Sequence, residues 1–213
     1  MSQAGTTLAN YTGRDRQLDP KRTAILVVDA QNAEITPEVQ ELHPGFYSEL
    51  RETALPAMRR LLDGARSAGA EVVYTVIESL TQDGRDRSLD HKLSNMHIPK
   101  GSPLAQVIDE VAPQGDEIIL PKTSSGVFNS TNIDYVLRNL GIDNVIVVGF
   151  VTDQCVDMAI RDGADRGYYM VCAHDACASY TPERHQNALK AFSGYCRLQT
   201  VDEVLADMVA TKG

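Results

Sequence analysis

Asp29, Lys122 and Cys155 lie far apart in the chain, yet each follows or closes an apolar run with strand character. Cys155 sits in Val-Ile-Val-Val-Gly-Phe-Val-Thr-Asp-Gln-Cys-Val, residues 145–156. A strand there passes through a Gly turn, and a helix should begin near the cysteine. A helix N-terminus carries free N–H groups and partial positive charge, which lower a thiol's pKa and favour the nucleophilic thiolate. The same N–H groups could hold an oxyanion. Asp29 closes Ile-Leu-Val-Val-Asp, where a carboxylate is costly unless it is paired or used; a turn or cap role stays open. Lys122 ends the third strand. It reads either as a solvated end residue or, if it converges with the other two, as an ammonium that tunes Asp29 as base and Cys155 as nucleophile. His174 and Asp175 follow the fifth strand. His174 is a further candidate or a structural residue, and Asp175 a turn or cap former.

The elements that must position these residues alternate. Strands are expected at Thr23–Asp29, Glu71–Ile77, Glu117–Leu120, Asn144–Val148, Tyr168–Ala173 and Arg197–Thr200. Between them, apolar residues recur at helical spacing over Glu49–Ala68, Pro103–Val111, Ser130–Leu140, Thr152–Arg166, Pro182–Tyr195 and Val201–Ala210. Pro56 implies a kink or a helix start, and Gly69, Gly141 and Gly167 close helices. Gly163 and Ala164 allow a helix to approach the sheet closely. Repeated strand–helix units with strands apolar throughout predict a three-layer α/β/α fold on an open, mostly parallel, six-stranded sheet. Ligands of such sheets bind at the carboxyl ends of the strands, where the three residues fall. Residues 1–20 are polar and irregular and read as an N-terminal arm; 21–213 read as a single domain.

Net charge is −9 and dispersed, with no basic stripe, which disfavours nucleic acid as a partner. No apolar run approaches the roughly 20 residues of a membrane span, and the N-terminus carries no secretory pattern, so a cytoplasmic location is the expectation. The four cysteines include no Cys-x-x-Cys pair and suggest no disulfide framework. Cys172 and Cys196 read as core, and Cys177 as a loop residue, buried or near a site.

The strand-end residues, in the order Asp, Lys, Cys, resemble the isochorismatase-like cysteine hydrolases. The resemblance spans about Thr23 to Val204. It is carried by Val-Val-Asp-Ala-Gln-Asn (27–32), Pro-Lys-Thr-Ser-Ser-Gly-Val-Phe (121–128) and, most specifically, Gly-Phe-Val-Thr-Asp-Gln-Cys-Val (149–156). Residues 75–81 and 84–90 look closest to ureidoacrylate and biuret hydrolases. The resemblance implies Asp29 as general base and later acid, Lys122 as the group that steadies the charges, and Cys155 as the attacking thiol. It also implies a cis peptide at Phe150–Val151, with the Val151 and Cys155 N–H groups as an oxyanion hole. One such donor is typically worth about 2.7–4 kcal/mol in the transition state.

Departures from family patterns narrow the chemistry. Isochorismatases lack the nucleophilic cysteine, so Cys155 points to C–N hydrolysis through a thioester, releasing an amine or ammonia. The metal-binding Asp-x-His pattern of nicotinamidases has no counterpart at Val76–Thr81, and His91 and His97 have no standard metal spacing, so neither a metal nor another cofactor is expected. A nicotinamidase-type or N-carbamoyl-amino-acid amidase is the alternative within the family. From another class, the alternative is a non-catalytic small-molecule-binding protein, disfavoured by the lack of a Gly-x-Gly-x-x-Gly or P-loop motif. Asn32, Glu78, Phe128 and Gln154 are candidate substrate contacts, with Phe128 equally readable as core. Arg85 and Arg87 read as a carboxylate clamp or as surface charges. Family members are often homo-oligomers, which suggests a dimer or tetramer.

Overall fold

The apolar runs assemble into one six-stranded sheet in a computed structural model that describes residue 14 and residues 16–209. The strands are β1 (Thr23–Val28), β2 (Glu71–Ile77), β3 (Ile118–Lys122), β4 (Asn144–Phe150), β5 (Tyr169–Ala178) and β6 (Arg197–Gln199). Their order is β3-β2-β1-β4-β5-β6, and every neighbouring pair is parallel. Successive residues of a strand face opposite sides, so a strand buried on both faces must be apolar throughout. In β1, Ile25 and Val27 join one core cluster, and Ala24, Leu26 and Val28 join the other.

The helices are α1 (Pro37–Leu42), α2 (Pro44–Glu49), α3 (Leu55–Ala68), α4 (Leu89–Leu93), α5 (Val127–Ser130), α6 (Ile133–Asn139), α7 (Asp157–Asp165), α8 (Pro182–Phe192) and α9 (Val201–Val209). Helices α2, α3 and α9 cover one face through Phe46, Met58, Leu61 and Val204. The other face is covered by α6, α7 and α8 through Leu137, Ile160 and Leu189. The expected three-layer architecture is therefore present. No helix among the described residues is long and apolar enough to cross a membrane.

Several boundaries differ from expectation. Residues 103–111 are not one helix but two 3-10 turns, Pro103–Ala105 and Asp109–Val111. Between them Val107 bridges Gln31, and the Ile108 N–H donates to the Ala30 carbonyl at 3.0 Å. The helical spacing of Leu104, Val107, Ile108 and Val111 is thus imitated by a segment whose backbone bonds go to the end of β1. Strand β5 runs five residues past its expected end at Ala173, so His174, Asp175 and Cys177 are strand residues. The β4–β5 register shifts between Val147 and Gly149, which accommodates the polar pair. Asp175 caps: its Oδ1 accepts from the Val201 N–H at 2.8 Å, at the start of α9. Pro56 stands at the start of α3, after a π-helical turn over Leu50–Ala54.

Of the expected N-terminal arm, residues 1–13 and 15 lie outside the described residues. Residues 16–20 are docked on the domain: Leu18 is fully buried, and the Arg16 guanidinium lies 4.4 Å over the Tyr169 ring.

Candidate active site

The strand order reverses between β1 and β4, the point at which a parallel sheet opens a crevice at its carboxyl edge. Asp29 follows β1 directly, and Cys155 lies in a π-helical turn, Thr152–Val156, between β4 and α7. Lys122 ends β3, two strands from β1, and its long side chain crosses β2 to reach them. All three are buried: Lys122 is 0%, Asp29 1% and Cys155 5% exposed.

Lys122 Nζ organises the cluster. It lies 2.9 Å from Asp29 Oδ2 and donates to Cys155 Sγ at 3.4 Å. It also donates to the Ser124 and Ser125 carbonyls at 2.9 and 3.3 Å, so the 123–126 loop wraps the ammonium. Burial pulls the Lys122 pKa down, but Asp29 and Cys155 outweigh it and hold it above its ordinary value. Asp29 has a left-handed backbone, φ 54°, a conformation that costs a non-glycine residue energy and recurs at functional sites. It is held there on both sides: its N–H donates to the Thr75 carbonyl at 3.0 Å, and Thr75 Oγ1 donates to its Oδ1 at 3.1 Å. Buried Gln31 ties the same corner together. It donates to the Ile77 and Leu104 carbonyls at 3.1 Å and accepts from the Ile77 N–H at 2.6 Å.

Gly149 makes the β1–β4 approach possible. Its φ is 123°, and a Cβ there would meet the Val28 carbonyl oxygen at 2.0 Å, so only glycine fits beside the residue preceding Asp29. The Phe150–Val151 peptide that follows is cis. On the sheet-facing side of α7, a Cβ at Gly163 would meet the sulfur of Met170 in β5 at 2.6 Å, the close helix–sheet approach its position in the sequence suggests.

The expected low thiol pKa is reversed. Burial first, then the Asp29 carboxylate, push the Cys155 thiol up to about 12, against the pull of Lys122. Being at the start of a helix does not overcome desolvation when the sulfur is closed off from water. The resting nucleophile is a thiol that must lose its proton as it attacks.

Cys155 opens into a cavity of about 500 Å³. Of the four candidate substrate contacts, Gln154 lines it. Asn32 and Glu78 instead hold the 99–106 segment: Asn32 Nδ2 donates to the Pro103 carbonyl at 3.1 Å, and Glu78 Oε1 accepts from the Gly101 N–H at 2.6 Å. Phe128 is a core residue, its ring 6.0 Å from that of Tyr168, and it does not line the cavity. Arg87 donates to the Gly84 and Met96 carbonyls and shapes the loop, whereas Arg85 pairs with Asp83 at the surface. His174 lines a different cavity, of about 300 Å³, with Glu49 and His185. Cys172, Cys177 and Cys196 are buried in the core.

Two further residues at the site fall outside the candidates drawn from strand ends, because His91 sits on the short helix α4 and Glu34 in a 3-10 turn, Asn32–Ile35. His91, on α4, is 3% exposed, lines the cavity and leaves Nδ1 without a hydrogen-bond partner. Burial and then Lys122 push its pKa down, so the ring is neutral near pH 7. Burial and then the Asp29 carboxylate push Glu34 up to about 7, with Lys122 pulling the other way. Among the described residues no group of three or more His, Cys, Asp or Glu side chains could hold a metal ion.

An Isochorismatase domain is matched over residues 23–203, most of the chain. The chain belongs to the isochorismatase family. It is 32% identical to the ureidoacrylate amidohydrolase RutB of Agrobacterium fabrum, covering 80% of this chain and 82% of that protein. Its fold superposes on a cysteine hydrolase from Pseudomonas syringae pv. phaseolicola with a TM-score of 0.81 and 27% identity, covering 92% and 96% of the two chains. The N-carbamoylsarcosine amidase of Thermoplasma acidophilum gives a TM-score of 0.71 and 26% identity, with 85% and 97% covered. In this member of the family, the clustered Asp29, Lys122 and Cys155 form a cysteine-dependent hydrolase active site.

Proposed function

We propose that the chain is an amidohydrolase that cleaves a C–N bond of a small amide, ureido or carbamoyl compound through a Cys155 thioester. One observation carries the reading: a single buried ammonium, Lys122, lies 2.9 Å from a carboxylate and 3.4 Å from a thiol that opens into a cavity. Asp29 takes the Cys155 proton as sulfur bonds to the carbonyl carbon. Lys122 compensates the negative charge that passes between them, which a buried site without a cation could not tolerate. The oxyanion rests on the Val151 and Cys155 N–H groups. Asp29 then protonates the departing nitrogen as the C–N bond breaks, leaving the acyl or carbamoyl thioester. Water, deprotonated by Asp29, attacks the thioester and returns the thiol.

The substrate class is supported by the similarity to an enzyme named for ureidoacrylate and to one named for N-carbamoylsarcosine. Of the substrate contacts inferred from sequence, Gln154 is retained, on its place in the cavity wall. Four free cysteines fit a reducing compartment, in keeping with a cytoplasmic protein. Leu89 and Leu93, 72% and 79% exposed on α4, support self-association as a dimer or tetramer. Ammonia release should be screened over ureido acids, biuret, N-carbamoyl amino acids and nicotinamide. Turnover of a ureido or carbamoyl compound that disappears in Cys155→Ala is the result expected. Undiminished turnover in that variant would exclude the mechanism.

A further inference from the structure

We propose that this site selects an electrically neutral or cationic amide or urea over an anionic ureido acid, because the wall of the cavity presents three aspartates and, among the described residues, no arginine or lysine. The inference rests on the reading of Cys155 as the hydrolytic nucleophile. It departs from what similarity to a ureidoacrylate hydrolase would suggest, since that substrate carries a carboxylate.

Three aspartates, Asp90, Asp153 and Asp157, line the cavity around Cys155. Two of them are neutralised by neighbouring arginines. Arg184 Nε donates to Asp153 Oδ2 at 2.6 Å, and Arg161 pairs with Asp157. Those two guanidiniums are therefore already engaged. Asp90 has no cationic partner among the described residues, so the wall as a whole is left negative. The nearby ammonium, Lys122, is fully buried and matched by Asp29 at 2.9 Å. The two other arginines near α4 offer no clamp: Arg87 is held by backbone carbonyls, and Arg85 faces solvent with Asp83. An anion entering this cavity would lose its hydration without gaining a counter-charge.

His91 supplies an independent observation. It is buried, lines the same cavity, and its Nδ1 has no partner. A buried polar atom without a partner is costly, and a ligand that supplies the missing bond removes that cost. A neutral imidazole meets the N–H or C=O of an amide or urea, whereas a carboxylate calls for an imidazolium or guanidinium.

Two isosteric thiol reagents, neutral iodoacetamide and anionic iodoacetate, read this field without assuming any substrate. Their rates at Cys155 are followed by peptide mass mapping at low ionic strength and compared with those at a small uncharged thiol. The preference for iodoacetamide should exceed that of the free thiol by about tenfold, shrink with added salt and shrink in Asp90→Asn. A preference no greater than that of the free thiol overturns the proposal. The same comparison is then made in turnover, with N-carbamoylglycinamide against N-carbamoylglycine. Higher kcat/KM for the neutral compound supports the proposal, and equal or higher values for the acid contradict it. If alkylation disfavours the anion but no amide or urea is hydrolysed, the hydrolase reading fails while the charge selection of the cavity stands.

Discussion

Cys155 shows how far a residue's neighbours in sequence can mislead about its state. Its place at the start of a helix predicts a stabilised thiolate, but burial and Asp29 together push the thiol up to about 12. Residue type and spacing make Asp29, Lys122 and Cys155 candidates, with a turn or cap role open for Asp29 and a solvated strand end open for Lys122, and the resemblance of the surrounding motifs to a family then singles them out. Neither is enough for protonation, which depends on how completely the surrounding loops exclude water. In the free protein the rate of Cys155 alkylation by iodoacetamide should therefore rise about tenfold per pH unit between pH 7 and 10, with no plateau. A plateau below pH 9 would show a stabilised thiolate instead. His91 and Glu34 had no comparable signal, because neither closes a strand and both are carried by segments whose course depends on distant contacts.

At the scale of elements, what was legible is what local pattern determines. Strands β1, β2 and β4 are apolar because they are buried on both faces, and their starts and approximate ends follow from that. Segments stabilised by distant partners were not legible. Residues 103–111 have helical spacing, yet their backbone bonds to Ala30 and Asn32 at the end of β1, an outcome no local window contains. The same holds for β5, where the polar His174-Asp175 interrupts the apolar pattern inside a continuing strand. Pro121 is tolerated in β3 because that strand is the sheet edge. The β1–β4 contact is the tightest joint around the site, and Gly149→Ala tests it. The added methyl group cannot coexist with the Val28 carbonyl, so the variant should lose at least about 2 kcal/mol in urea unfolding, with activity falling in the folded fraction. An unchanged unfolding midpoint would mean that the approach is looser than described.

At the scale of the whole molecule, the fold gathers groups from residues 29, 122 and 155 at one sheet edge and excludes water from them. Such burial leaves a signature in stability. Glu34 is raised from its ordinary 4.5 to about 7, so the folded protein holds a proton that the unfolded chain has lost between those values. The stabilisation associated with protonated Glu34 is complete below pH 4.5 and declines as pH rises through 7. Urea midpoints of wild type and Glu34→Gln, compared at pH 5 and pH 8, should show a larger drop at pH 8 for the wild type. Parallel pH dependence in the two proteins would place the Glu34 carboxyl in water.

The central claim is that Cys155 forms a bond to the carbonyl carbon of the substrate. Rapid acid quenching during turnover of a ureido or amide substrate, followed by peptide mass spectrometry, reads that bond directly. The account predicts an acyl or carbamoyl mass increment on the peptide carrying Cys155, absent in Cys155→Ala and lost as substrate is consumed. Full turnover with an unmodified Cys155 peptide at every quench time, together with retained activity in Cys155→Ala, would contradict it.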